Sequence, residues 1–213
     1  MASQLVVLSH LRWTFVWQRP QHIVSRLAPG RRTWFVEEPL VADVDRPRLR
    51  TEDHDQVTRV WLEVPGQGQF DAHYAEAVQQ LVGTSSDRMV WLYTPMALDV
   101  ASALRPSTVV YDVMDDLASF KGAPAELRLR HLQALRRADV VFTGGRSLHR
   151  GVLAHRPQGT HLFPSGVEPE HYAPAAAMRP ARRPAPVAGY VGVIDERVDL
   201  GLVAGLARAL PDW

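Results

Sequence analysis

The chain of 213 residues contains no cysteine. That removes disulfides, thiolate nucleophiles and cysteine-ligated zinc together, and it fits a reducing compartment. Asparagine is also absent, isoleucine occurs only at Ile23 and Ile194, and 23 arginines stand against the single Lys121. Codon bias in a GC-rich genome accounts for that split; selection of arginine as a phosphate binder is the other reading. An excess of one charge is lacking too. The net charge of +1 gives no general case for nucleic acid or an anionic surface as partner. Long apolar runs are missing as well. Leu5-Val6-Val7-Leu8 is interrupted by His10 and Arg12, too soon for a signal peptide, and no window approaches the ~20 apolar residues of a spanning helix. These absences lead to the expectation of a soluble, cytoplasmic protein.

What is present is an alternation. Hydrophobic residues make up 46% of the chain, enough for one good core or a core plus a fragment. Short apolar runs at 5–9, 33–38, 57–64, 88–93, 108–112, 139–144 and 160–164 read as strands. Helical patterns at 19–28, 70–82, 95–104, 123–138 and 146–155 lie between them. Strand and helix in turn mean βαβ units and a mainly parallel sheet covered on both faces, a Rossmann-like doubly wound α/β domain over 1–172. The stretch 173–186, rich in Pro and Ala, reads as a stiff linker. One βα unit remains at 187–213, with its helix over 199–209. Fewer than ~40 residues rarely fold alone, so this unit is expected to pack on something or to be the start of a further domain.

In an open parallel sheet, ligands bind beyond the carboxyl ends of the strands. The loop after the first strand holds Trp13, Phe15 and Trp17 beside His10, Arg12, Gln18 and Arg19. Such a loop can form a wall on which sugar C–H faces stack while polar groups bond hydroxyls; alternatively, the tryptophans are core residues beneath a long loop. In "YDVMDD", Asp112, Asp115 and Asp116 could form a metal or general-base cluster, or could cap a helix and accept backbone N–H bonds. Their spacing is not that of a D-x-D metal motif. "TGGRSLH" offers either an anion site at a helix start or two glycines for a tight turn. The helix 123–138 carries Arg128, Arg130, His131, Arg136 and Arg137, a face for solvent or for anionic lipid. In the closing unit, Gly192 lets a backbone approach a ligand. Arg197, ahead of the helix, either meets a diphosphate or pairs with Asp195 or Asp199. No first-strand G-x-G-x-x-G occurs, so a dinucleotide fingerprint is lacking.

Several stretches together, "SHLRWTFVWQRPQH", "YDVMDDLASFKGAP", "ADVVFTGGRSL", "HLFPSGVEPEHY" and "GVIDERVDL", resemble a bacterial branch of the family 4 glycosyltransferases. The resemblance implies GT-B architecture, two facing Rossmann-like domains, with sugar transferred from a nucleotide-sugar with retention and without an essential metal or other cofactor. It implies acceptor binding by His10, Trp17, Gln18, Arg19, Asp112, Asp115 and Asp116, and donor-diphosphate binding by Gly192 and Arg197. Implied partners are the nucleotide-sugar and a carbohydrate or lipid-linked acceptor, with contact to the inner membrane face and a homodimer as further expectations. The family's Glu-x₇-Glu signature has no counterpart, since no two glutamates stand eight apart. The expectation is therefore an acceptor-side domain joined to the first strand and helix of an incomplete, truncated donor domain, with little transfer by this chain alone. The alternative is a non-catalytic, self-associating interaction module.

Overall fold

The computed structural model describes residues 2–66, 70–178, 185–195 and 197–213. The chain divides into two compact units, 1–166 and 167–213.

The first unit is built on nine strands. β1 (Gln4–Ser9), β2 (Arg32–Glu37), β5 (Val57–Val64), β6 (Arg88–Leu92), β7 (Thr108–Val113), β8 (Val140–Thr143) and β9 (Thr160–Leu162) form the parallel body, in the order β5-β2-β1-β6-β7-β8-β9. The two-residue β3 (Leu40–Val41) pairs in parallel with the end of β5, and β4 (Arg48–His54) pairs antiparallel along it. The chain lays strands outward from β1 in one direction, then returns to β6 and lays them in the other. The reversal lies between β1 and β6, where a doubly wound sheet opens its ligand crevice.

β1 sits at the centre and all six of its residues are buried. Its apolar side chains serve two cores because successive residues point to opposite faces. Val6 and Leu8 join the cluster under α2 (Ala72–Val82), α3 (Leu98–Ala103), α4 (Leu127–Arg137) and α5 (Arg146–Leu153). Leu5 and Val7 join the one under α1 (Arg19–Leu27), with Trp13, Phe35, Trp91 and Tyr93. Burying one such aliphatic side chain is worth ~1.5–3 kcal/mol, so the sheet's interior is the main source of stability. At the opposite, amino end of the strands, the buried Arg88 guanidinium donates to the carbonyls of Gly83 and Leu104 at the ends of α2 and α3, at 2.5 and 2.6 Å. A cation at two helix C-termini meets two sets of orphan carbonyls at once.

Besides the two-residue β3, too short to show a pattern, the structure differs from the sequence reading at three places. β4 was not expected, because "RLRTEDH" shows no apolar alternation: it pairs with β5 alone and most of its side chains are exposed. Its hairpin turns at Asp55, whose φ of 52° lies in the left-handed region that Asp tolerates. The helix expected over 123–138 begins only at Leu127, after a turn at Pro124. The third difference lies in the second unit. Helix α6 (Pro169–Ala177) covers the first residues of the expected linker, and residues 179–184 of that linker lie outside the described residues. α7 (Leu200–Ala209) is the expected helix, capped by Asp199, whose carboxylate accepts the Leu202 N–H at 2.9 Å. The strand expected before it is not formed among the described residues, which show no strand from 185 to 195. Extended backbone becomes a strand only where a neighbour takes its hydrogen bonds, and none pairs with it.

Candidate functional site

The residues at the carboxyl ends of β1, β2, β6 and β7 are organised around the loop 10–18. Two buried side chains hold that loop. Glu37, the last residue of β2, is fully buried. Its Oε1 accepts the Trp13 N–H at 2.7 Å and Arg59 Nε at 2.8 Å. Its Oε2 accepts from Arg12 Nη1 at 3.2 Å and Arg59 Nη2 at 3.1 Å. Arg12 also donates to the carbonyls of Glu38 and Pro39. Gln21, in the first turn of α1, is equally buried and donates to the carbonyls of Arg12, Trp13 and Val16 at 3.1–3.3 Å. Its Oε1 accepts the Gln18 N–H at 3.0 Å, which caps the helix. An irregular loop over a packed sheet must place its backbone polar groups somewhere, and here they go to Glu37 and Gln21.

This frame separates the two tryptophans of the loop. Trp13 is core, 5% exposed, and packs on Phe35. Trp17 is 52% exposed and stands edge-on to Trp13, with its indole N–H donating to His22 Nδ1 at 3.0 Å. Phe15 and Val16 beside it are exposed as well. Of the two readings of the aromatic loop, the core reading holds for Trp13 and not for the exposed Trp17.

Arg19 and Asp112 come together inside the sheet edge. Arg19 Nε lies 2.9 Å from one Asp112 carboxylate oxygen and 3.1 Å from the other, with both side chains almost fully buried. Arg19 Nη1 donates to the Phe163 carbonyl at 2.6 Å, so the start of α1 is tied to β7 and to the end of β9. Burial pushes the Asp112 carboxyl above the ordinary aspartate range, against the opposing pull of Arg19. Tyr93 and Trp91 lie near the same carboxylate and also lower its pKa, but the Tyr93 hydroxyl and Trp91 indole N–H make no hydrogen bond of ordinary geometry. Arg19 Nη2 and His10 Nδ1 are likewise buried without a partner. Four buried polar atoms without a partner of ordinary geometry thus belong to residues around the carboxyl ends of β1 and β6. Such groups are uncommon in native interiors, and where they cluster they mark a wet or functional site.

His10 follows β1 directly. Burial holds its imidazole below the ordinary histidine value, while the Asp115 carboxylate acts in the opposite sense. His10 is therefore neutral at pH 7, beside a carboxylate that can accept. Asp116 is exposed and accepts from the Ser119 hydroxyl at 2.6 Å. Gln18 is half-buried. Of the acceptor residues read from the sequence, His10 and Asp115 act on one another, Arg19 and Asp112 are paired in the interior, and Trp17 stands open. Asp112 serves as an ion-pair partner rather than as the acceptor of backbone N–H bonds. Glu37, Gln21, Trp91 and Tyr93 were not singled out beforehand. Glu37 carried a signal, a carboxylate ending a buried strand, whereas Gln21 carried none. Among the described residues, no group of three or more His, Asp or Glu is placed to hold a metal ion.

In the second unit, Arg197 forks onto Asp195, with Nη2 2.5 Å and Nε 3.0 Å from its carboxylate oxygens. This is the pairing that stood beside the diphosphate reading. Tyr190 folds over Gly192 and donates to the Val193 carbonyl at 3.0 Å, so an added Cβ at Gly192 would meet the Tyr190 hydroxyl at 2.8 Å.

A parallel sheet reversing at β1 and β6 is a Rossmann-like, doubly wound α/β fold. The chain is similar to solved trehalose-6-phosphate synthases. The E. coli trehalose-6-phosphate structure bound with UDP-2-fluoro glucose aligns over 98% of this chain and 55% of its own, at 15% identity and TM-score 0.54. The α,α-trehalose-phosphate synthase (UDP-forming) of Burkholderia xenovorans, in complex with glucose-6-phosphate, aligns over 81% of this chain and 52% of its own, at 14% identity and TM-score 0.51. The chain spans about half the length of these neighbours. No family model and no curated protein matches it. Among the described residues, no helix is long and apolar enough to cross a membrane.

Proposed function

We propose that this chain is the acceptor-side half of a retaining, nucleotide-sugar-dependent glycosyltransferase of the family 4 type. The observation that carries the reading is the set of residues at the carboxyl ends of β1 and β6, where the sheet reverses. There a neutral His10 beside Asp115, with Trp17 exposed on the same loop, faces the position where a doubly wound sheet binds its ligand. Neutral imidazole and carboxylate bond the hydroxyls of an acceptor sugar, and the indole face takes its C–H surface. Transfer with retention also needs groups that stabilise an oxocarbenium-like state and the departing diphosphate. Gly192 and Arg197 are the candidates for the diphosphate on this chain, and Arg197 must release Asp195 to serve. Support also comes from the fold neighbours, one bound with UDP-2-fluoro glucose and one with glucose-6-phosphate.

The test is thermal shift of the purified chain against UDP-, GDP- and ADP-sugars and against sugar acceptors, with calorimetry on each hit. The reading expects a saturable acceptor hit lost in Trp17→Ala and His10→Ala. It expects any nucleotide-sugar hit to depend on the diphosphate and to be reversed by Arg197→Ala. A chain that binds neither class of ligand overturns it.

One observation favours a second reading, a self-associating module. α7 buries none of its side chains within its own unit, and Leu200, Leu202 and Val203 are all exposed. Concentration-dependent dimerisation in light scattering supports that reading, and a strict monomer removes it.

A further inference from the structure

A cavity of about 750 Å³ opens between α4, α5 and the loop 115–125, on the face of the sheet opposite the Arg19–Asp112 pair. That volume is within the range that encloses a ligand of drug size. Its floor is apolar, formed by Val113, Leu127, Leu132, Leu148 and Val152. Its polar lining is mixed. Asp115 and Asp116 supply acceptors, and Arg128, His131, His155 and Ser147 supply donors.

Two details fix what that lining recognises. The Tyr111 hydroxyl lies 2.8 Å from His131 Nδ1. Burial keeps Tyr111 protonated, so it donates, and a neutral His131 then carries its own proton on Nε2. The second detail is charge. Two carboxylates, Asp115 and Asp116, stand against one guanidinium, Arg128, in the lining, and burial holds the His131 imidazole below the ordinary histidine value, so the carboxylates oppose an anion. Free donors, free acceptors and apolar patches side by side match a neutral polyol, whose hydroxyls take both roles and whose C–H faces cover Leu and Pro. Asp115 lines this cavity and also acts on His10, so one carboxylate is common to the cavity and to the residues at the end of β1.

We propose that the cavity between α4 and α5 is a subsite for a neutral oligosaccharide, holding the part of a glycan acceptor beyond the sugar that reacts. As an acceptor subsite it rests on the glycosyltransferase reading; as a saccharide site it stands without it. The substrate class is accordingly a glycan longer than one ring, and a sugar phosphate is excluded from this subsite by Asp115 and Asp116.

Gly151 gives a clean test. It lines the cavity from α5, and a Cβ added there meets nothing within 4 Å. Gly151→Leu therefore starts from an unhindered Cβ, adds bulk at the cavity wall and replaces a helical glycine, so its melting temperature should equal or exceed that of the parent. Calorimetry would use maltotriose, cellotriose, xylotriose and chitotriose, their monosaccharides, and inorganic phosphate. The expected result is a trisaccharide bound at least about tenfold more tightly than its monosaccharide. That binding should be lost in Gly151→Leu, retained in Gly151→Ala and not competed by phosphate. The proposal is overturned if no trisaccharide binds, if monosaccharide and trisaccharide bind alike, if Gly151→Leu binds like the parent, or if phosphate competes. None of these results depends on nucleotide-sugar binding or turnover, so failure here is distinct from failure of the transferase reading.

Discussion

The buried pair of Arg19 and Asp112 permits a quantitative test of what that carboxylate is for. Both side chains are all but excluded from solvent, at 3% and 0% exposure. Truncating one partner leaves the other charge buried alone, which costs ~3–5 kcal/mol where both are desolvated. Arg19→Met should therefore destabilise the chain by about that amount, or roughly 6–20 °C in melting temperature at ~2–4 °C per kcal/mol for a chain of this size. The double variant Arg19→Met, Asp112→Leu removes both charges and should recover more than half of the loss, because a well-packed apolar pair is commonly as stable as a buried ion pair. The pH dependence gives an independent arm. The Asp112 carboxyl already sits above its ordinary range through burial, and losing Arg19 raises it further. A group whose folded pKa is raised contributes stability that is fully present below its unfolded value, ~3.9, and is lost as pH rises through the folded value. The deficit of Arg19→Met should thus be smallest near that acidic value and grow towards neutrality. Urea unfolding followed by tryptophan fluorescence reads both quantities. A loss under ~1 kcal/mol, independent of pH, would mean a hydrated pair of the surface kind. In that case Asp112 would be available to a ligand and the scaffold reasoning would be wrong.

Three further perturbations follow from the same geometry. Glu37→Ala leaves the Arg12 and Trp13 donors of the loop without their acceptor, so stability should fall by ~3–5 kcal/mol and the loop 10–18 should become the first site of limited proteolysis. His10 and His131 both titrate below the ordinary histidine value through burial. Their contribution to stability is present above that value, ~6.5, and is lost as pH falls through the depressed ones, so His10→Gln should remove part of the acid-side loss in a series of melting curves. Gly144 and Gly145 should separate sharply. A Cβ on Gly144 would lie 3.2 Å from the Met114 backbone, whereas one on Gly145 meets nothing. Gly144→Ala is then expected to cost ~1–3 kcal/mol in thermal unfolding and Gly145→Ala to be near neutral.

The parts of the fold that the sequence revealed are those where burial alone decides the residue. β1, β6 and β7 lie inside a parallel sheet, so they read as apolar runs whatever their neighbours are. β4 is an edge strand with one partner, and nothing in its own composition distinguishes it from a polar loop. Its formation depends on β5 and on a turn at Asp55, both outside "RLRTEDH" itself. The closing segment shows the reverse case. "GYVGVI" has the composition of a strand, but composition cannot supply the neighbour that a strand requires, and among the described residues none pairs with it.

The candidate site divides along the same line. Its location was legible, because the alternation of strands and helices fixes which ends carry ligands. The roles of its residues were not, because a polar residue at a strand end looks the same in sequence whether it faces the crevice or the interior. Arg19 and Trp17 are two residues apart in sequence, yet one is paired with Asp112 inside the sheet edge and the other stands in solvent. Gln21 looks like any surface glutamine of a helix, yet its amide holds three carbonyls of the loop. These interior polar residues fix the loop's shape, and the half-buried His10 and the exposed Trp17 take their positions from it. A ligand that selects for hydroxyl geometry needs that rigidity, since a wall that moves by an ångström loses the alignment on which its hydrogen bonds depend. Substitutions at the two anchors, Glu37 and Gln21, should weaken saccharide binding through the loop, without contact to the ligand.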